Sequence, residues 1–561
     1  MSNGLPDFAE ELKFRYLAGE AVLFVLHSNV KDLARYENEY LPLKEFLLKS
    51  LLEKTKDVVI YYDPSEGITF GTPAMKKQFF KALNARQALF GEPPIDLLPT
   101  MPGRVLPLLE NFLLIPGQKV GLIISYAETI VPSGELSFMT TEERANLVTF
   151  QRWASDPKIL HSDNIVILIT ENLADMNGKI VKNPQIIPIE IPLPDEKERL
   201  EFIEYLQKKT CVPLDVKPEV LADITSGLRR IQLEGIFRQA KKSEKPVSFN
   251  LVKGKKKEII ENECLGLVEM VEPAFTLEHV GGMENTKKVL NKIVKSIEEG
   301  DRRSVPMGIF FVGPMGTGKT FLAEAFAGDS GLTCIKMKNF REKWVGSTES
   351  NLEKILNIVK ALGSVIIIID EVDRALSGNE SEGDSGTSSR VYAKIKAFMS
   401  DTTHRGKILW IIMSNRPDKI DIDLKRPGRF DLKIPFFFPQ TNEEREAIFK
   451  ALFKKNKIEY ELADLNQCLS MLGGYSGAEI EAIVLLSSEF AKEQQSNIVK
   501  DEHLKAAIED FIPSRNQNML EFMELLAVFE CSSKRMLPTQ YKDINNEVMS
   551  ERLHLLKKLI G

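Results

Sequence analysis

Met307-Gly308-Ile309-Phe310-Phe311-Val312 runs directly into Gly313-Pro314-Met315-Gly316-Thr317-Gly318-Lys319-Thr320. An apolar strand followed by this glycine-rich turn predicts a phosphate-binding loop. The glycines let the backbone curl until successive N–H groups face a polyphosphate. Lys319 is spaced to reach the β- and γ-phosphates, and the Thr320 hydroxyl to hold Mg²⁺. A helix expected from about Thr320, opening with Phe321-Leu322-Ala323-Glu324, aims its positive end at the same charge. The stretch predicts a nucleotide site on an α/β sheet.

Working outward, apolar runs at 307–312, 365–369 and 408–413 alternate with stretches of helical period. That alternation predicts a parallel sheet with crossover helices. Val365-Ile366-Ile367-Ile368-Ile369 delivers Asp370 and Glu371 to the carboxyl edge of such a sheet, where ligands sit. Asp370 would hold Mg²⁺ through water and Glu371 would polarise the attacking water; an ordinary strand-end turn is the alternative for two adjacent acids. The strand 408–414 ends in Asn415, which could orient the lytic water or meet the γ-phosphate, although Asn is also a common turn former. Further on, Arg426 and Arg429, fixed by Pro427 and Gly428, suit planar recognition of phosphate. Acting on a neighbouring subunit's nucleotide, they would require an oligomer. A surface ion pair with Asp431 or Asp423 is the alternative. After Pro439 the pattern turns helical over 442–454, 462–472, 477–493 and 501–511, as a small lid would.

The chain has 561 residues, 43% hydrophobic and 27% charged, enough for several domains with their own cores. A net charge of −6 argues against a surface devoted to nucleic acid. Five cysteines lie far apart and form no CxxC pair, so they read as free thiols in a reducing, cytoplasmic compartment. The N-terminus has no signal-peptide pattern, and no apolar run reaches spanning length. The histidines are scattered without metal-ligand spacing.

There is an internal repeat. Residues 186–194 followed by Glu196-Lys197-Glu198-Arg199 match 431–439 followed by Asn442-Glu443-Glu444-Arg445. Apolar strands at 22–26, 57–62, 120–124 and 165–169 precede the first copy. The first module lacks the phosphate loop: 25–30 reads Val-Leu-His-Ser-Asn-Val. Its counterpart of the acidic strand ends in Ser125-Tyr126, with Glu128 nearby. The expected layout is a degenerate α/β module at 1–241, a linker at 242–272, an α/β catalytic domain at 273–440, a helical lid at 441–515 and a helical extension at 516–561. The lysines at 253–257 read as a solvated linker face rather than a nucleic-acid patch.

Residues 273–515 resemble the AAA clade of the AAA+ ATPases. The marks occur in order: Val280-Gly281-Gly282, the phosphate loop, Asp370-Glu371, Asn415, Arg426 with Arg429, and Tyr475-Ser476-Gly477-Ala478-Glu479. The resemblance implies tandem AAA+-like modules, each a parallel sheet with crossover helices and a small helical lid, the first degenerate. It implies ATP and Mg²⁺ as ligands, Gly281 beside adenine, Gly477 and Ala478 closing from the lid, and a hexameric homo-oligomer. It sets Trp344 and Val345 in a loop lining a central pore and gripping extended polypeptide; Trp344 as a core anchor is the alternative. The Gly/Ser-rich acidic stretch 376–389 reads as a second mobile loop near the pore. Residues 383–391 are similar to a bacterial and plastid subgroup. The expected function is a ring-forming protein remodeller or unfoldase that pulls polypeptide. A nucleic-acid motor or loader, and a nucleotide-switched scaffold, are the alternatives.

Overall fold

The computed structural model describes residues 4–560 except 90, 92, 96, 265, 339–347, 376–386, 427, 464, 514 and 515. Packing divides the chain into two compact units: one of residues up to 258 together with 349–361, the other of 259–348 and 362–561.

The sheet of the first unit contains β1 (Leu23–Ser28), β2 (Val58–Asp63), β3 (Gly67–Phe70), β4 (Val120–Ser125), β5 (Ile165–Ile169) and β6 (Ile186–Ile191). Their order is β3-β2-β4-β5-β1-β6, parallel except for β3, which turns back on β2. β5 reads Ile-Val-Ile-Leu-Ile and is buried throughout. Such an unbroken aliphatic run needs cover on both faces. Helices supply it with Phe46, Phe79, Phe112 and Trp153, all fully buried. Beyond β6 come helices Glu196–Thr210, Pro218–Ile224, Arg230–Lys242 and Phe249–Glu263.

The second unit repeats the plan. It contains β7 (Val268–Val271), β8 (Gly308–Val312), β9 (Thr333–Met337), β10 (Val365–Ile369), β11 (Ile408–Ser414) and β12 (Leu432–Pro435). The order is β12-β8-β11-β10-β9-β7, and only β7 is antiparallel. The five parallel strands therefore follow one topology in both sheets. The repeat seen in the sequence is a repeat of fold, and the chain is α/β with tandem modules.

The lid consists of helices Asn442–Asn456, Leu465–Ser470, Gly477–Glu493 and Asp501–Asp510 around Phe449, Phe453, Ile480 and Leu504. Two of its helices start with reciprocal caps, Thr441 with Glu444 and Ser476 with Glu479. In the tail, helices Gln517–Glu530 and Asn546–Ile560 bury Phe522, Leu525 and Leu556 in a small core of their own. Glu530 ties the tail down: Lys425 pairs with one carboxylate oxygen and Lys433 with the other at 2.9 Å.

Two expectations need correction. The stretch 242–272, expected as a linker, holds helix Phe249–Glu263 and strand β7. Its lysines are not all solvated. Val252, Lys256 and Ile260 recur every fourth residue and form a buried helical face. The Lys256 ammonium donates to Ser226 Oγ at 3.1 Å, and burial pushes its pKa down to about 8. Trp344, Val345, residues 376–386 and Pro427 lie outside the described residues. No described helix is long and apolar enough to cross a membrane. All five cysteines are free thiols.

Candidate active site

The carboxyl ends of β8, β11 and β10 bring the predicted groups together. β11 lies between the other two strands, and Val312 faces Ser414 in the ladder. After Val312 the phosphate loop turns over its glycines, and Gly318, at φ 86°, starts helix Lys319–Ser330. A side chain at that φ would be strained, which accounts for glycine there.

Lys319 is buried, and its ammonium donates to three oxygens. These are the carbonyls of Gly313 at 2.9 Å and Pro314 at 2.7 Å, and Asn415 Oδ1 at 2.6 Å. All three donors of the ammonium are thereby used. Burial pushes the Lys319 pKa down to about 8, against the pull of Asp370, Asp373 and Glu371. Beside it, Thr320 Oγ1 donates to Asp370 Oδ2 at 2.9 Å, and Lys336 Nζ stands 3.8 Å from the same oxygen. The Ser414 hydroxyl donates to Asp373 Oδ1 at 2.6 Å. Sequence reasoning missed Lys336 and the Ser414–Asp373 pair. The signal for Lys336 was a lysine inside an otherwise apolar strand, which needs an acid within reach.

Glu371 follows with φ 47°, a left-handed conformation that costs a non-glycine residue on the order of 1–2 kcal/mol. Its N–H donates to Asp370 Oδ1 at 2.9 Å, which fixes the turn.

The lid reaches the loop directly. The Ala478 N–H donates to the Gly316 carbonyl at 3.0 Å. Gly477 lies against the same carbonyl: a Cβ there would be 3.4 Å from it. Gly281 is pressed onto the first lid helix, where a Cβ would come within 2.5 Å of the Ala447 carbonyl and of Ile448 Cα. Phe321 is held between Phe275, with ring centroids 5.4 Å apart, and the ammonium of Lys455 from the lid, 5.0 Å from its ring. Gly281, Phe321, Gly477 and Ala478 are thus all at the junction of lid and sheet.

The arginines are elsewhere. Arg429 donates from Nε to Ser400 Oγ and from Nη1 to the Asp423 carbonyl, both at 2.6 Å. Arg426 is exposed and pairs with Asp423 at 3.0 Å. Asp431 accepts from the N–H groups of Gly428 at 2.7 Å and Met307 at 3.0 Å, which anchors the turn at the start of β8. The phosphate loop is at the other end of that strand. The ion pair expected as the alternative for Arg426 is therefore present, while Asp431 is used by Arg405 at 3.2 Å.

Chemically, a buried ammonium, a hydroxyl paired with a carboxylate and a curled backbone fit a magnesium–polyphosphate. Among the described residues no group of three or more His, Cys, Asp or Glu side chains is placed to hold a metal ion. A site with one hydroxyl and one carboxylate suits Mg²⁺, which keeps water and phosphate oxygens in its shell.

Comparison with known proteins covers both modules. Residues 2–192 match the AAA+ chaperone N-terminal Rossmann-like domain and 197–265 the AAA+ chaperone second helical domain. Residues 309–438 match the ATPase family associated with various cellular activities. The chain is similar to the uncharacterized AAA domain-containing protein ycf46 of Pyropia yezoensis, 27% identical over 379 residues, which cover 65% of this chain and 75% of that protein. It is 26% identical over 412 residues to the Cell division cycle protein 48 homolog of Archaeoglobus fulgidus, covering 65% of this chain and 56% of that one. Against the human ATPase family gene 2 protein homolog A, identity is 30% over 263 residues, covering 45% and 29%.

Proposed function

This chain is an ATPase of the AAA+ class, and from that premise we propose that it cleaves ATP at seams between identical subunits, in a hexameric ring, and uses the cycle to pull on polypeptide. The observation that carries this reading is the cluster at the carboxyl edge, where Lys319, the Thr320–Asp370 pair and Asn415 share one site and Ala478 joins the lid to its loop. The loop of Gly313, Pro314, Met315, Gly316, Thr317 and Gly318 cradles the phosphates with its N–H groups, and Lys319 meets the β- and γ-oxygens. Thr320 and Asp370 would hold magnesium, which supplies charge neutralisation on those oxygens when bound. Glu371 takes the proton of the attacking water, and Asn415 moves from the lysine to the γ-phosphate. Gly281 and Phe321 border the base from the sheet side, and Gly477 and Ala478 from the lid.

Arg426 and Arg429 act on the neighbour's nucleotide. Strands rise about 3.3 Å per residue, so the length of β8 keeps Arg429 on the order of 15 Å from the phosphate loop of its own chain. That exceeds the reach of an arginine side chain, which supports action across a seam. Hydrolysis changes the contacts of the γ-phosphate, and the Gly316–Ala478 bond passes that change to the lid. Trp344 and Val345, in the pore-loop position, would carry the motion to the substrate.

The lysine gives a pH test. In the free protein its pKa is about 8, and a bound triphosphate favours the charged form, so binding raises that pKa. ATP binding is expected to take up a proton near pH 8.5 and almost none at pH 6.5. Titration calorimetry in two buffers of different ionisation enthalpy reads this directly. Equal proton uptake at both pH values would mean that Lys319 is already charged before ATP binds.

The substrate class is tested by turnover. An unfolded polypeptide is expected to raise the ATPase rate severalfold while single-stranded DNA and RNA leave it unchanged. Stimulation by nucleic acid alone would replace the polypeptide reading with that of a nucleic-acid motor.

A further inference from the structure

The first module keeps a cavity at the edge where the second binds phosphate. Matching the two sheets strand for strand, by their ladders, aligns Ile189 with Ile434, in the register of the sequence repeat. The same match sets Ser28 at the position of Gly313, Ser125 and Tyr126 at Asp370 and Glu371, and Glu171 at Asn415. The turn after β4 has been retained, with Tyr126 at φ 56° against 47° at Glu371, while the loop after β1 leaves its strand differently, Ser28 at φ 76° against 154° at Gly313. Strain on non-glycine residues persists where the surrounding structure holds it.

The charges have changed. Lys31 in the loop pairs with Glu171, so the one loop cation is neutralised by a carboxylate where the second module has the amide of Asn415. Lys44, the other cation of the cavity wall, lies 3.9 Å from Asp63. Instead of a phosphate-loop helix, the hairpin Leu33–Tyr36 with Glu39–Pro42 follows. The cavity of about 570 Å³ that remains is lined by Tyr61, Tyr126, Glu45 and Glu128, together with the Lys31–Glu171 pair. Glu128 lines the cavity half-buried, and its Oε2 has no hydrogen-bond partner among the described residues. Burial raises the pKa of that carboxyl, so a cation brought against it would recover charge stabilisation. Two carboxylates without a fixed counter-charge and two phenol rings suit a positive group, since aromatic faces attract cations.

We propose that this cavity binds a guanidinium or alkylammonium group, with Glu128 as its counter-charge and Tyr126 against it. The pocket has exchanged an anion site for a cation site on the same scaffold. The cation would come from an arginine or lysine side chain of a polypeptide, or from a free small amine.

The test uses the full chain saturated with ADP, so that the second module is occupied. Methylguanidine and the peptide acetyl-Ala-Arg-Ala-amide are titrated by calorimetry, with the citrulline peptide as the neutral control. Saturable binding is expected for both guanidinium probes and none for citrulline. Glu128→Gln should weaken it at least about tenfold, the scale of one charge-assisted hydrogen bond. Glu45→Gln, an exposed change that the fold tolerates, should weaken it by a smaller factor. A peptide tighter than methylguanidine assigns the cation to polypeptide, and equal affinities assign it to a small amine. The proposal fails if neither probe saturates, if citrulline binds as well as arginine, or if affinity survives both glutamate changes. It fails equally if the chain takes up a second ADP beyond the one held by the second module and Glu128→Gln does not weaken that second binding, because the pocket would then still be an anion site.

Discussion

Glu371→Gln is expected to bind ATP as the native chain does and to hydrolyse it roughly 10²–10⁴-fold more slowly, the range for losing a positioned general base. Glutamine keeps the shape and the backbone turn. The N–H of residue 371 still donates to Asp370 Oδ1, so the left-handed turn stays in place. Neither the Lys319 contacts nor the Thr320–Asp370 bond involves the side chain that changes. Binding and chemistry should therefore separate. Equilibrium titration with a fluorescent ATP analogue measures the first, and single-turnover hydrolysis the second. Native turnover in this variant would take Glu371 out of the mechanism. Loss of binding along with turnover would mean that the carboxylate holds the nucleotide instead of activating water.

Arg429→Ala is expected to lower turnover by about 10³–10⁵, the worth of an arginine finger, with ATP binding intact. The guanidinium also holds Ser400 Oγ and the Asp423 carbonyl, so its removal loosens the local turn. Two comparisons separate these effects. Arg429→Lys keeps a donor for those contacts but not the planar fork, and should stay nearly inactive. Arg426→Ala removes an exposed side chain whose partner is Asp423, and should leave thermal stability unchanged. The decisive measurement mixes subunits. Arg429→Ala subunits keep Lys319 and Glu371, while Glu371→Gln subunits keep both arginines. In an equal random mixture, each heterologous seam has an intact pair in roughly a quarter of cases, and turnover should recover to that order. No recovery on mixing, with each variant inactive alone, would argue that the arginines serve their own chain.

Much of this was readable from the residues because local chemistry dictated it. The central strands of both sheets announce themselves as unbroken apolar runs, and the lid helices as apolar periods opened by caps such as Ser476-x-x-Glu479. The phosphate loop is legible because curling a backbone around phosphate needs glycine at fixed places. What was not legible depends on contacts distant in sequence. Nothing local to Lys256 says that it is buried against Ser226, thirty residues away. Glu530 looks like one more helix acid until Lys425 and Lys433 converge on it. The hairpin that replaces the phosphate-loop helix of the first module, Leu33–Tyr36 with Glu39–Pro42, has a short Glu-Asn turn without glycine, and its pattern gave no strand signal.

The two sheets also close their outer margins differently. In the first, β3 folds back from its own neighbour; in the second, β7 is borrowed from the chain upstream of the module, and Val268–Val271 zips along Cys334–Met337. Anyone separating the ATP-cleaving half for expression must therefore cut ahead of residue 268. A boundary drawn at 273, where the family motifs begin, would strip away this selvedge and leave a raw row of amide groups inviting another molecule to stitch itself on.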